Sequence, residues 1–130
     1  MDSPRVRVAV YVTREHRGGR EVLVLDVPQA GTQVPAGGVD PDERLAAAAR
    51  REVAVYTGVT IDLVGSPIAV QQRPHADTGA NRVTVFFHAT TDERRDSWTH
   101  RLNGCFFVPL ADAPGLLADH QGEFVDLVTA

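Results

Sequence analysis

The amino-acid sequence predicts an α/β fold in which a mixed β-sheet is sandwiched between helices. Three observations lead there. Several segments have the alternating or continuous apolar character of strands. One segment in the middle of the chain has strong helical character, and a weaker helical pattern lies near the C-terminus. Strands on both sides of one strong helix fit a sheet covered by helical layers. The 130 residues suit a single domain, residues 1–130, burying roughly two thirds of its unfolded surface.

Taken in order, Arg5 to Thr13 alternates Val6, Val8, Val10 and Val12 with Arg5, Arg7, Ala9 and Tyr11, the period of a strand. Gly18-Gly19 reads as a turn. Glu21 to Val27 is almost continuously apolar, so both faces of this second strand are expected to be covered; the two strands form a hairpin. Pro28 to Pro35 is a loop. Asp40 is expected to cap a helix, with Pro41 at its first position and Glu43 three residues after the cap. Leu45 to Tyr56 is rich in good helix formers. Leu45, Ala46, Ala49, Val53 and Tyr56 fall on one face, and Gly58 supplies the stop.

Ile61 to Val70 reads as a strand, with an edge or bulge at Pro67. Arg73 to Asn81 is a loop, and Arg82 to Thr90 a strong strand. Thr91 to Asn103 is a charged connecting segment that holds the only tryptophan, Trp98. Cys105 to Leu110 is a strand that stops at Pro109. From Ala111 to Thr129, apolar residues recur at helix-like spacings, interrupted by Gly115 and Gly122.

Net charge is −4 and the pI is near 5.6. This argues against a nucleic-acid polymer or an anionic membrane as partner. It leaves room for a small phosphorylated ligand, because local charge decides that case. All thirteen basic residues are arginine. Cys105 is the one cysteine, so no intrachain disulfide forms, and its apolar neighbours point to a buried thiol. No signal-peptide pattern and no membrane-spanning run is legible, so a cytoplasmic setting is expected.

The stretch from Gly37 to Val59 reads GGVDPDERLAAAARREVAVYTGV. Gly37, Glu43, Arg51, Glu52, Val53, Gly58 and Val59 fall in the register of the signature of the Nudix hydrolases, which this segment resembles. That pattern runs Gly, five residues, Glu, seven residues, Arg-Glu, an aliphatic residue, any residue, Glu-Glu, any residue, Gly, an aliphatic residue. Val55 and Tyr56 stand where the Glu-Glu pair belongs. Gln33 to Gly38 and Phe106 to Leu110 are similar to family segments outside the signature. The resemblance implies a Nudix-type α/β/α sandwich with a mixed β-sheet over the whole chain, and in many members a homodimer.

The resemblance also implies that carboxylates of the signature helix hold Mg²⁺ or Mn²⁺ against a substrate diphosphate. Such hard cations neutralise the phosphate charge and acidify bound water. Helix positions i, i+3 and i+4 share a face, and 52, 55 and 56 have that spacing. Only Glu52 brings a carboxylate; an isopropyl group and a neutral phenol are poor ligands for hard cations. By resemblance, Glu52 is the metal ligand and catalytic carboxylate, Arg51 and Glu43 are a scaffold ion pair, and Gly37 and Gly38 let backbone approach phosphate. Asp42 replaces a glycine usual before the Glu.

Among Glu93, Asp96, Asp119 and Glu123, the last is favoured as a compensating base or ligand. Arg73, Arg82 and Gln71 are candidates for phosphate or ribose, Trp98 for stacking on a base, and Tyr56 for the pocket wall. His16, His75, His88, His100 and His120 lack metal-ligand spacing. Three functions follow: a hydrolase of nucleoside diphosphate-linked compounds with weak or lost activity, a non-catalytic ligand- or protein-binding module, or an enzyme of metal-independent small-molecule chemistry.

Overall fold

A computed structural model describes residues 5–74 and 78–128. The chain runs through β1 (Arg5–His16), β2 (Gly19–Val27), β3 (Gly31–Gln33), β4 (Ala36–Gly38), α1 (Leu45–Thr57), β5 (Asp62–Leu63), β6 (Ala69–Pro74), β7 (Asn81–Thr90), β8 (Ser97–His100) and β9 (Asn103–Pro109). A C-terminal segment follows, with a short α2 (Ala113–Leu116) between 3-10 turns at Leu110–Asp112 and Val125–Val128.

The sheet has the strand order β5-β7-β1-β2-β9-β8, with β3 on β2, β4 on β1 and β6 on β7. It is mixed: β1 and β7 run parallel, whereas β1 and β2, β2 and β9, and β6 and β7 are antiparallel. The alternation in β1 serves two buried layers rather than one buried and one wet face. Val8, Val10 and Val12 join a core beneath α1 that includes Ala48, Ala49 and Val53. Ala9 and Tyr11 join a second core with Phe86, Ala113, Val125 and Val128 under the C-terminal segment. Helical layers therefore cover both faces of the sheet.

Five sequence expectations need correction. Pro28 to Pro35 is not all loop, because Gly31–Gln33 forms β3, antiparallel to β2. The helix starts at Leu45, not at Asp40, and its N-cap Arg44 makes no side-chain capping bond. Asp42 adopts a left-handed backbone, φ 64°, which a helix cannot continue. A turn forms instead: the Glu43 N–H donates to the Asp40 carbonyl at 3.0 Å, and the Asp40 N–H donates to Glu43 Oε1 at 2.9 Å. The usual glycine at position 42 suits that left-handed geometry, and Asp tolerates it. The segment from Ile61 to Val70 is two strands, β5 and β6, both paired to β7 and separated by bends at Gly65 and Ser66 just before Pro67.

The charged segment from Thr91 to Asn103 contains β8, which hairpins onto β9. The stretch from Ala111 is not one helix. Leu117 is extended, Asp119 and His120 are left-handed at φ 56° and 60°, and a Cβ at Gly122 would press on the Pro114 backbone at 3.0 Å. Buried Gln121 pins this segment instead: its side-chain oxygen accepts the Val34 N–H at 2.8 Å and its carbonyl accepts the Tyr11 hydroxyl. Thr129 lies outside the described residues.

Candidate active site

β4 pairs with β1, placing Gly37 opposite Val8 and Gly38 opposite Arg7. α1 lies across this corner. Its Glu52 is 6% exposed and touches Gly37 so closely that a Cβ there would overlap the carboxylate. Gly37 is needed for this approach; its φ is not positive.

Arg51 organises the corner. Its Nε and Nη2 donate to Glu43 Oε2 and Oε1, each at 2.8 Å. Nη2 also donates to the Gly38 carbonyl at 2.8 Å, and Nη1 to Glu52 Oε1 at 2.5 Å. Bidentate charge-assisted bonds of this kind are among the strongest polar contacts. They hold the Glu43 carboxyl down to about 2, the Arg51 hydrogen bond being the main cause. Glu52 moves the opposite way. Burial pushes its pKa up, against the pull of Arg51.

The next two positions give Glu52 no help. Val55 is 40% exposed. Tyr56 packs partly against the core beneath α1. Among the described residues, no three His, Cys, Asp or Glu side chains gather as a cation site. The donor set is thus a single buried carboxylate already paired with a guanidinium. It does not fit the resident metals that the signature implies, which need several oxygen ligands aimed at one point.

A groove of about 1290 Å³ opens beside the corner, bringing together Gly37, Gly38, Tyr56, Arg82, Arg5 and Arg7. It shares Arg7 and Arg82 with a smaller pocket of about 300 Å³ that holds Gln71, Arg73, Asp119 and His120. Glu123 is held there rather than at Glu52. It accepts from Gln71 Nε2 at 2.9 Å and from Arg73 Nη2 at 2.5 Å, which lowers its pKa, Gln71 first. Its neighbour Phe124 packs in the core on the sheet face opposite α1, so Glu123 does not complete a carboxylate cluster with Glu52.

The other candidates have structural partners. Trp98 does not face the groove. Its Nε1 donates to the Thr57 carbonyl at 2.8 Å, while Asn103 Nδ2 donates to the Tyr56 carbonyl at 3.4 Å. Both close the C-terminal end of α1, whose last carbonyls lack helical partners. Glu93 pairs with Arg95 and Asp96 with Arg14. Cys105 is buried, which pushes its thiol pKa up. His88 shares a hydrogen bond with Thr13 Oγ1 at 2.8 Å, and burial lowers its pKa. His100 lies against Gly58, His120 is 3.8 Å from Glu123, and His75 lies outside the described residues. Arg5 and Arg7 were legible only as the polar half of an alternating strand; their place in the groove depends on which strands flank β1.

The model of the NUDIX domain family matches residues 3–128. The chain belongs to the Nudix family. Among solved Nudix structures, the Ap4A hydrolase of C. elegans superposes with a TM-score of 0.78 at 18% identity, covering 98% of this chain and 97% of that one. The Nudix domain of Shewanella oneidensis NrtR, complexed with ADP ribose, gives 0.78 at 18% identity, over 99% and 88%. The E. coli dihydroneopterin triphosphate pyrophosphohydrolase gives 0.75 at 17% identity, over 99% and 100%. At such identities the likeness establishes the Nudix fold. No curated protein matches the chain. No helix among the described residues is long and apolar enough to cross a membrane.

Proposed function

We propose that this Nudix protein binds nucleoside diphosphate-linked compounds in the groove beside Gly37 and Gly38, and that metal-dependent pyrophosphohydrolysis is weak or lost. One observation carries the reading: Glu52 is the lone carboxylate at the centre of the signature helix, and Arg51 already holds it. Without a cluster of oxygen ligands, no divalent cation is held to acidify the water that would attack the diphosphate.

The ligand class is supported by the groove's glycine backbone and arginine lining, and by similar structures named for Ap4A hydrolysis and for an ADP ribose complex. Metal-independent chemistry at Tyr56 is less well supported, because no described base bonds to its hydroxyl. A small phosphorylated ligand also accords with a chain whose net charge of −4 disfavours polymers of phosphate. Calorimetric titration with ADP ribose, ADP and a nucleotide sugar tests the reading. Saturable binding to at least one is expected; no binding to any, with or without Mg²⁺, overturns it.

A further inference from the structure

We propose that Arg5, Arg7, Arg73 and Arg82 form an anion-binding site that holds a diphosphate without a divalent cation. The proposal rests on the diphosphate-linked ligand class above and adds what neutralises the phosphates.

Strand register brings these residues together. Arg5 is aligned with Arg82 across the parallel pair β1 and β7, and Arg7 with Thr84. Arg73 is opposite Arg82 across the antiparallel pair β6 and β7. Aligned residues project from the same face, and so do residues two apart on one strand. Four guanidinium groups therefore leave one face of three adjacent strands.

Like charges at opposed positions of a sheet repel and destabilise it. Among the described residues, two carboxylates pair with them. Glu123 pairs with Arg73 at 2.5 Å, and Asp119 approaches Arg82 at 3.4 Å. Arg5 and Arg7 make no ion pair with any described residue. Arg7 is nevertheless half-buried, at the junction of the groove and the smaller pocket. Asp40 also lines the groove, but Arg51 lies 3.7 Å from it.

A local excess of positive charge thus sits inside a chain of net charge −4. Folding does not require it, because opposed arginines cost stability. A bound anion relieves the repulsion. Guanidinium is the side chain best matched to phosphate, offering two parallel donors in a plane. Gly38, directly opposite Arg7, leaves open space where a side chain would stand. A diphosphate lying there would meet the arginines on the sheet face that carries Ala9, Tyr11 and Phe86, opposite the face that α1 covers, so guanidinium charge neutralises it without a metal.

The test is calorimetric titration of the full chain with inorganic pyrophosphate in EDTA at low salt. Wild type, Arg7→Gln, Arg82→Gln and Arg94→Gln are compared, the last being exposed and lining a pocket away from the groove. Wild type and Arg94→Gln should bind, with affinity falling as salt rises. Arg7→Gln and Arg82→Gln should each weaken binding at least about tenfold. Arg7→Gln should melt at the same temperature as wild type or higher, since it removes an unmatched charge.

No binding in EDTA, or wild-type affinity in Arg7→Gln, overturns the proposal. So does a lowered melting temperature in Arg7→Gln, which would make the residue part of the scaffold. If Arg7→Gln does not fold, Arg7→Lys decides: it keeps the charge, loses the fork, and should bind more weakly than wild type. Binding that appears only with Mg²⁺ and disappears in Glu52→Gln removes the arginine site but leaves the diphosphate reading intact. No binding of pyrophosphate or ADP under either condition removes both.

Discussion

The carboxylate of Glu52 occupies the space that a Cβ on Gly37 would need. The signature helix and the strand before it are therefore in contact through a glycine and an acid that are fifteen positions apart in sequence. Arg51 closes the same corner by bonding Glu43, Glu52 and the Gly38 carbonyl.

Gly37→Ala should destabilise the fold by about 1–3 kcal/mol, the usual cost of forcing an extra methyl into a packed site. Urea unfolding measures it. A loss below about 0.5 kcal/mol would mean that Glu52 does not press on Gly37 in solution.

Glu52 and Glu43 should respond to pH in opposite directions. Burial raises the folded pKa of Glu52 above its unfolded value. Its contribution to stability is therefore full below the ordinary carboxylate range and is lost as pH rises through the raised folded value. Glu43 is held down to about 2, so its contribution is present above the ordinary range and is lost as pH falls towards that value. Glu52→Gln should then gain stability relative to wild type as pH rises above the ordinary carboxylate range. A relative loss over that rise, measured by denaturant unfolding, would contradict the burial argument.

Much of this corner was legible in the sequence because it is encoded locally. Glu43 and Arg51 are eight residues apart, and the signature register alone identifies them as partners. Gly58 as the stop of α1 is equally local, and its φ of 74° meets the expectation. The start of α1 was missed because Asp42, a residue that also suits a first helical turn, takes a left-handed backbone instead. The C-terminal segment was missed because its apolar spacing reflects anchoring at Gln121, not a continuous helix. The arginine face was invisible for a different reason. Residues 5, 7, 73 and 82 meet only through the pairing of β1, β6 and β7, and pairing partners are not a local property of sequence.

Restoring the missing acids tests whether the backbone still presents the signature geometry. Val55→Glu combined with Tyr56→Glu puts three carboxylates at i, i+3 and i+4 with Glu52. Titration should then detect Mn²⁺ binding at a dissociation constant of about 1 mM or below, the weak end of oxygen-ligand cation sites. No gain over wild type would mean that Arg51 keeps Glu52 out of any cation's reach.

Trp98 supplies a readout that separates folding from binding. Trp98→Phe removes its bond to the Thr57 carbonyl and should cost about 1 kcal/mol beyond the lost packing. Because the indole closes α1 and does not line the groove, a bound nucleotide should leave its emission unchanged. Strong quenching on titration with ADP would put the base against Trp98 and contradict that placement.

Phosphate release reports whether the lone carboxylate Glu52 supports metal-dependent hydrolysis. A panel of nucleoside triphosphates and nucleotide sugars is incubated with Mg²⁺ or Mn²⁺, using wild type beside Glu52→Gln. Release at or near background is expected for both proteins on every compound. Metal-dependent turnover by wild type that vanishes in Glu52→Gln would contradict that expectation, and would establish that one signature carboxylate suffices for the reaction.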